Sequence, residues 1–461
     1  MHPMANLASY AAGTYARVDD ERTDLDLRVT GELPRQLRGS FVQNSPNPRF
    51  EPNGLYHWFD GDGMVHGIHF ADGKASYRNR YIRTQALAAD EAAGHSTTRG
   101  ILEPFDGGRP DKNTANTDLI AHNGKLLALW WLSGEPYALS VPELETLGVE
   151  DFKGTLHGNV SAHAKVDPRT GELVFFDYSP YGDQPFIRYG TVSAAGELTH
   201  SHTLELDRPS LLHDCAITEH YTILLDFPLI WDPAALKAGK RRVRFDVDQP
   251  ARFGIAARNG ADVRWFSVGG CYMYHTVNAW EEGDEVVVVG CRISDPIPRV
   301  PHENELHIPR LFFLRLEPYL HEWRFNLVTG EVKDRRLDDA RTEFPRMNDK
   351  FLGTKSRYAF HPRVAAEPTL LFDAAIRYDL DGGTDIHREY GADRFGGETV
   401  FAPREGATEE DDGWVLTFVT DRREGTSEVV VLDGRELTEV ARVLLPRRVP
   451  TGFHAEWIAH R

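Results

Sequence analysis

The sequence predicts an all-β chain. Short apolar or alternating runs recur from one end of its 461 residues to the other. Tight-turn signals separate them, and no alternation of strands with long helices interrupts them. That combination fits a propeller or a large sandwich.

The strands follow in order. Met64–Phe70 alternates between the two sides of a ribbon. Lys125–Trp131, Glu172–Asp177, Tyr221–Asp226, Glu285–Gly290 and Ser427–Leu432 are runs rich in Leu, Val, Ile and Phe, the residues that suit a pleated surface. Hairpin turns are expected at Asp167–Gly171, Ala194–Gly196, Val328–Gly330 and Asp433–Gly434. Asn44, Pro46, Asn47 and Pro48 predict a turn, and so does Asp60–Gly63. Helices are scarce. Pro142–Leu147 predicts about one turn, and Asp232–Lys237 opens with an Asp cap followed by Pro233. No Gly/Ser tract or charge block divides the chain. It reads as one domain over residues 1–461, with roughly 1–20 as an N-terminal extension.

Composition narrows the function. There are 52 basic and 70 acidic residues, a net charge of −18, which repels phosphate backbones and argues against nucleic acid as a partner. No apolar stretch reaches the ~18 residues of a spanning helix. The start, Met1-His-Pro-Met-Ala5, lacks the pattern of a secretory signal. Three cysteines, Cys215, Cys271 and Cys291, are too few and too scattered for a disulfide framework or a cysteine zinc site. A reducing, cytoplasmic setting is expected. Twenty histidines are the compositional hint of a metal.

Four histidines stand out by context: His163 in SAHAKVD, His213 in LLHDCAI, His275 in YMYHTVNAW and His454 in GFHAEW. Each sits among small or apolar neighbours, where an imidazole needs a partner. A seven-bladed propeller would use about 66 residues per blade, which puts the four in different blades. The innermost strands of all blades face one axis, so residues far apart in sequence can meet there. Spacing alone leaves this open. Cys215 shares a strand face with His213 and reads as a buried thiol more readily than as a ligand.

Longer stretches carry a family resemblance: NPRFEPNGLYHWFDGDGMVHG, NTANTDLIAHNGKLLAL, SAHAKVDPRTGEL, LLHDCAITEHYTILLDFPL, HTVNAWEEGDEVVVVGCR, EFPRMNDKFLGTKSRYAF and GFHAEW. From about Val29 to His460 the chain resembles the carotenoid cleavage oxygenases. The resemblance implies a seven-bladed β-propeller with loops and short helices capping one face. It also implies one Fe(II) on the axis, bound by His163, His213, His275 and His454 without a carboxylate ligand. Four neutral imidazoles leave up to two octahedral positions for O2, water or substrate. The implied reaction is oxidative cleavage of a C=C bond, with O2 as cosubstrate and two carbonyl products. Asn44–Phe70 is then scaffold near the substrate, with His57 and His66 outside the ligand set.

The family supports its ligand imidazoles with three glutamates. Two are matched here, Glu343 in EFPRMND and Glu398 in GGETVFAP. The third position departs: Trp131 or Leu132 stands where Glu is expected, and Glu135 is too far along. One imidazole is therefore expected to lack its carboxylate, with a backbone carbonyl or water instead. The same loop lacks the lysine with which stilbene-cleaving relatives hold a phenol, so a carotenoid or apocarotenoid is the expected substrate. A stilbene or other phenylpropanoid alkene is the alternative, and a propeller that binds an apolar ligand without turnover is another. The stretch 228–245 joins Leu229, Ile230, Trp231 and Leu236 to Lys237, Lys240, Arg241, Arg242 and Arg244. It reads equally as a peripheral membrane contact and as a solvated loop over a buried Trp.

Overall fold

The computed structural model describes residues 11–104, 112–156, 158–181, 184–297, 316–367 and 369–460. Most of them lie in antiparallel sheets. Four sheets have four strands each and follow one another along the chain. They are Asp118–His122 through Thr146–Val149, Lys165–Val166 through Leu198–Glu205, Cys215–Ile217 through Val263–Val268, and Tyr272–Glu282 through Val332–Arg341. A nine-stranded sheet makes two further blades. Arg394–Gly396 pairs with Phe372–Asp379 on one side and Gly413–Asp421 on the other, which joins them. The seventh blade takes Gly39–Pro46, Gly63–Ala71 and Lys74–Tyr81 from the start of the chain and Ala455–Ala459 from its end. Phe41 faces Trp457 across that last pairing, so both ends of the chain close one seven-bladed ring.

The apolar runs are the strands packed between neighbouring blades. Val286, Val287, Val288 and Val289 are all fully buried in Glu285–Ile293. A strand covered on both faces needs a continuous apolar run rather than alternation. Burying each such side chain contributes about 1.5–3 kcal/mol. Lys74–Tyr81, with one face to solvent, alternates instead. The expected hairpin turns all form. At Asp167–Gly171 the amide of Gly171 donates to the Asp167 carbonyl with φ +72°, a conformation glycine adopts without strain. The inner strands face the axis, and Asp118–His122 touches both Lys165–Val166 and Ala455–Ala459.

Local expectations differ from the structure in three places. Pro142–Leu147 is not helical. Leu144 has φ +62°, which no right-handed helix allows, and Thr146–Val149 supplies a blade's outer strand. Gly39–Pro46 continues as a strand where Asn44 and Pro46 predicted a turn. Asn44 is buried, its amide donating to the Ala115 carbonyl at 2.8 Å, so its polarity serves a tertiary bond. A helix at Gln85–Ala93 went unpredicted, although Thr84 caps it by accepting from the Leu87 amide and Gly94 ends it at φ +74°. In the 228–245 stretch, Leu229, Ile230 and Trp231 are buried, which agrees with the reading of a loop over a buried Trp. Lys237, Lys240 and Arg244 stay exposed.

The short helix Pro233–Lys237 forms as expected, with the Asp232 carboxylate accepting from the amides of Ala234 and Ala235. Of the N-terminal extension, residues 1–10 lie outside the described residues. Beyond them, Tyr15 and Val18 pack against the body, where Val18 and the Asn47 side chain exchange two hydrogen bonds of 2.8 Å. No described helix is long and apolar enough to cross a membrane.

Candidate metal centre

Four blades each deliver one histidine to the axis at or beside the inner strand. His163 precedes Lys165–Val166, His213 precedes Cys215–Ile217, and His454 precedes Ala455–Ala459. His275 lies inside Tyr272–Glu282, where the pairing register shifts between Met273 and Thr276. Such a bulge re-aims a side chain. It is possible here because Gly290 faces it: a Cβ there would lie 2.1 Å from the Met273 sulfur and 3.0 Å from the His275 carbonyl.

His163 has φ +70°, a left-handed conformation that costs an L-residue about 1–2 kcal/mol. Asp118 holds it: Oδ2 accepts the His163 backbone N–H at 2.8 Å and lies 3.4 Å from the ring Nδ1. His454 is fixed through its backbone, its carbonyl accepting from the Asn44 amide at 2.9 Å. Asp214, beside His213, ties three blades together. It accepts from Lys165 Nζ at 2.7 Å, from its neighbour's amide at Cys215, and from the amide and hydroxyl of Thr276 at 2.7 Å.

The rings converge. His163 lies 4.8 Å from His213, 4.7 Å from His275 and 4.5 Å from His454 between ring centroids. His213 Nε2 and His275 Nε2 are 3.2 Å apart. A metal–imidazole bond of about 2.1 Å puts neighbouring ligand nitrogens at right angles roughly 3 Å apart. Ligand nitrogens of His163, His275 and His454 all lie within 4.8 Å of one another.

The outer nitrogens fix the tautomers. His275 Nδ1 donates to Glu343 Oε2 at 2.5 Å, and His454 Nδ1 donates to Glu398 Oε1 at 2.9 Å. The Nε2 lone pairs therefore point inward. His163 Nε2 is buried without a hydrogen-bond partner among the described residues. Burial, reinforced by the neighbouring rings, holds His163 and His275 well below the usual histidine range and lowers His213 to about 3. Neutral rings are what a metal requires. Burial also pushes the Glu343 carboxyl well up, against the pull of the Phe344 amide. Neither Asp118 nor Glu343 has a lysine or arginine within ion-pair distance among the described residues. Buried carboxylates without cations are costly, and a dication among the imidazoles would balance them.

Two cavities meet at these rings. One is lined by Trp58, Phe59, Trp131, Tyr274, Phe344 and Phe453, together with His213, His275 and His454. The other, of about 330 Å³, is lined by Lys165, Arg346, Asp214 and Glu456, together with His163, His275 and His454. It has room for several waters. The imidazoles form the partition between an apolar side and a polar side.

The structure thus brings together the four histidines singled out in the sequence, with Glu343 and Glu398 behind two of them. His57 and His66 stay apart. His57 Nδ1 accepts from the Phe59 amide, and buried His66 pairs with the Tyr77 hydroxyl. The Cys215 thiol is engaged elsewhere: it donates to the His163 carbonyl at 3.7 Å, and burial raises it to about 12. Trp131 and Leu132 are buried and Glu135 is exposed, so no glutamate from that loop reaches the centre. The Nδ1 of His213 has no hydrogen-bond partner among the described residues. Sequence reasoning missed Asp118, Asp214 and Phe344. A charged residue opening the apolar strand DLIAH, and another beside His213, were the available signals. Nothing local marks Phe344, whose ring lies 4.5 Å from His454 with φ +52°.

Comparison with known proteins agrees with this geometry. The family model described as retinal pigment epithelial membrane protein matches residues 15–459. Carotenoid 9,10(9',10')-cleavage dioxygenase 1 of Arabidopsis thaliana is 35% identical, over 99% of this chain and 91% of its own length. A carotenoid cleavage oxygenase of Mycobacterium tuberculosis is 33% identical over 97% of each. The crystal structure of a lignostilbene dioxygenase from Pseudomonas brassicacearum superposes with a TM-score of 0.87 at 31% identity, covering 98% of both chains. Cobalt-substituted apocarotenoid oxygenase from Synechocystis gives 0.85 at 26% identity, over 97% of this chain and 98% of its own. The blades, the ring of imidazoles and these matches run the length of the described chain, which belongs to the retinal pigment epithelial membrane protein family, the carotenoid cleavage oxygenases.

Proposed function

We propose that the chain is an Fe(II)-dependent dioxygenase that cleaves a C=C bond of a carotenoid or apocarotenoid into two carbonyl products. His163, His213, His275 and His454 would hold the iron. The observation that carries this reading is the convergence of four imidazoles, three of which, His213, His275 and His454, line the aromatic cavity. When bound, a ferrous ion supplies activation of O2 beside an alkene.

The chain's own residues supply the rest. Glu343 and Glu398 keep the Nδ1 protons of His275 and His454 in place, so both rings present lone pairs in a fixed direction. Trp58, Phe59, Trp131, Phe344 and Phe453 exclude water and align an extended hydrocarbon with one bond at the centre. Their faces stabilise positive charge spread along a polyene. The balance closes without a reductant: one alkene and one O2 give two carbonyls, each carrying one oxygen atom.

Relatives from Arabidopsis and Mycobacterium are named for carotenoid cleavage, which supports the substrate class. The described lining of the apolar cavity includes no lysine or arginine to hold a phenolate. A stilbene remains the second reading because of the Pseudomonas relative. The test loads the protein anaerobically with Fe(II), then adds ¹⁸O2 and a panel of carotenes, apocarotenals and resveratrol. The expected result is a pair of carbonyl products from a polyene, both labelled. Cleavage of resveratrol alone would select the second reading. Tight binding with no carbonyl product from any compound would leave a ligand-binding propeller.

A further inference from the structure

Two imidazoles donate from the outer nitrogen to a carboxylate, a third has a carboxylate 3.4 Å from it, and the fourth has none among the described residues. Glu343 stands behind His275, Glu398 behind His454, and Asp118 behind His163. His213 Nδ1 is buried and unpartnered among the described residues. Trp131, one of the two residues that stand where a glutamate was expected, lines the apolar cavity, its own Nε1 also unpartnered among the described residues. His213 is held by packing, with the Tyr274 ring edge-on at 5.0 Å.

Asp118 differs from an ordinary structural carboxylate in two respects. It comes from the neighbouring blade, at the first residue of Asp118–His122, yet its Oδ2 grips both the backbone N–H of His163 and the approach to its ring. It is also buried with no lysine or arginine within ion-pair distance among the described residues, since nearby Lys165 is bound to Asp214. Its charge is therefore left for the His163 side of the centre to balance.

We infer that Asp118 is a positioning residue for His163, so that the centre has three carboxylate-braced imidazoles and one, His213, held by packing alone. The inference rests on the metal reading above. The 3.4 Å gap exceeds the usual length of such a bond, and a small rotation of the ring closes it when Nε2 is drawn onto a cation. Asp118 then fixes the tautomer and makes His163 a stronger donor. Without such a brace His213 is the weakest donor of the four.

Cobalt(II) serves as the probe because its visible spectrum reports donor strength without turnover. The full chain, Asp118→Asn and Asp118→Ala are titrated with Co(II) against a competing chelator. Removing such an outer carboxylate lowers metal affinity about 10–100-fold. Both variants are expected to show that loss, with shifted visible bands in Asp118→Asn. A purely structural role predicts instead that Asp118→Asn, which keeps an oxygen for the His163 amide, restores affinity and spectrum. An Asp118→Asn variant within twofold of the parent, with unchanged bands, overturns the inference and leaves the metal reading standing. A parent chain that takes up no metal overturns both. A measurement independent of variant folding is proton NMR of the parent cobalt protein. A shifted His163 imidazole N–H signal in slow exchange with solvent is expected; a fast-exchanging His163 signal contradicts the inference.

Discussion

Replacing Glu398 by glutamine is the most informative change behind the histidines. Glu398 Oε1 accepts from His454 Nδ1 at 2.9 Å, and Oε2 accepts from the Ala455 amide at 2.6 Å. Both bonds have N–H donors. Glutamine has one acceptor and one NH2 group, so whichever way it turns, an NH2 faces one of those donors. The variant loses one bond to a charged acceptor, worth about 1.5–3 kcal/mol. At about 1.4 kcal/mol per tenfold, that is roughly a 10–100-fold loss in metal affinity if the lost bond is the one to His454. Arg346, 3.8 Å from Oε2, keeps its partner Glu456 at 3.2 Å, so the surrounding charges stay paired. The assay is Fe(II) affinity by chelator competition, run beside thermal unfolding of the metal-free chain. Affinity within twofold of the parent, in a variant that folds normally, would refute the reasoning that the carboxylate fixes the His454 tautomer.

Other expectations follow from the same geometry. Gly290→Ala places a methyl against Met273 and the His275 carbonyl; it should cost about 1–3 kcal/mol in urea unfolding and weaken metal binding, and no change in either would contradict the role given to the bulge. Phe453→Ala removes a ring 4.1 Å from Trp58 and 4.7 Å from Phe59, and should cost about 3–5 kcal/mol while raising KM for a long polyene; an unaltered KM would place the substrate elsewhere. Acid should destabilise the metal-free fold. His66 and His361 are held neutral at about 3 by burial, whereas the unfolded chain binds protons on both below about 6.5. Stability is therefore full above pH 6.5 and falls as pH drops toward 3, on the order of 1.4 kcal/mol per pH unit for each ring; a flat urea midpoint between pH 7 and 5 would contradict this.

The strands were legible because burial between blades writes itself as β-branched runs such as Val286–Val289, and because hairpins need turn residues such as Asp167 and Gly171. Ring closure was not: pairing of Ala455–Ala459 with Gly39–Pro46 joins opposite ends of the chain, which no local pattern encodes. The histidines could be singled out by their surroundings, but their meeting point depends on how inner strands align around the axis. Asp118 and Asp214 were missed for the same reason. Each acts on a neighbouring blade, Asp118 on His163 and Asp214 on Lys165 and Thr276. Asn44 misled because its turn-forming chemistry is spent on Ala115. The 228–245 stretch left two readings open because hydrophobicity does not say whether Leu229 and Trp231 face lipid or their own core; both are buried.

X-ray absorption at the iron edge of the Fe(II)-loaded chain tests the four-imidazole centre most directly. The account predicts one iron per chain with four histidine nitrogens at about 2.1 Å and no bound sulfur or protein carboxylate. Two or three imidazoles with a carboxylate, or a sulfur scatterer from Cys215, would contradict it.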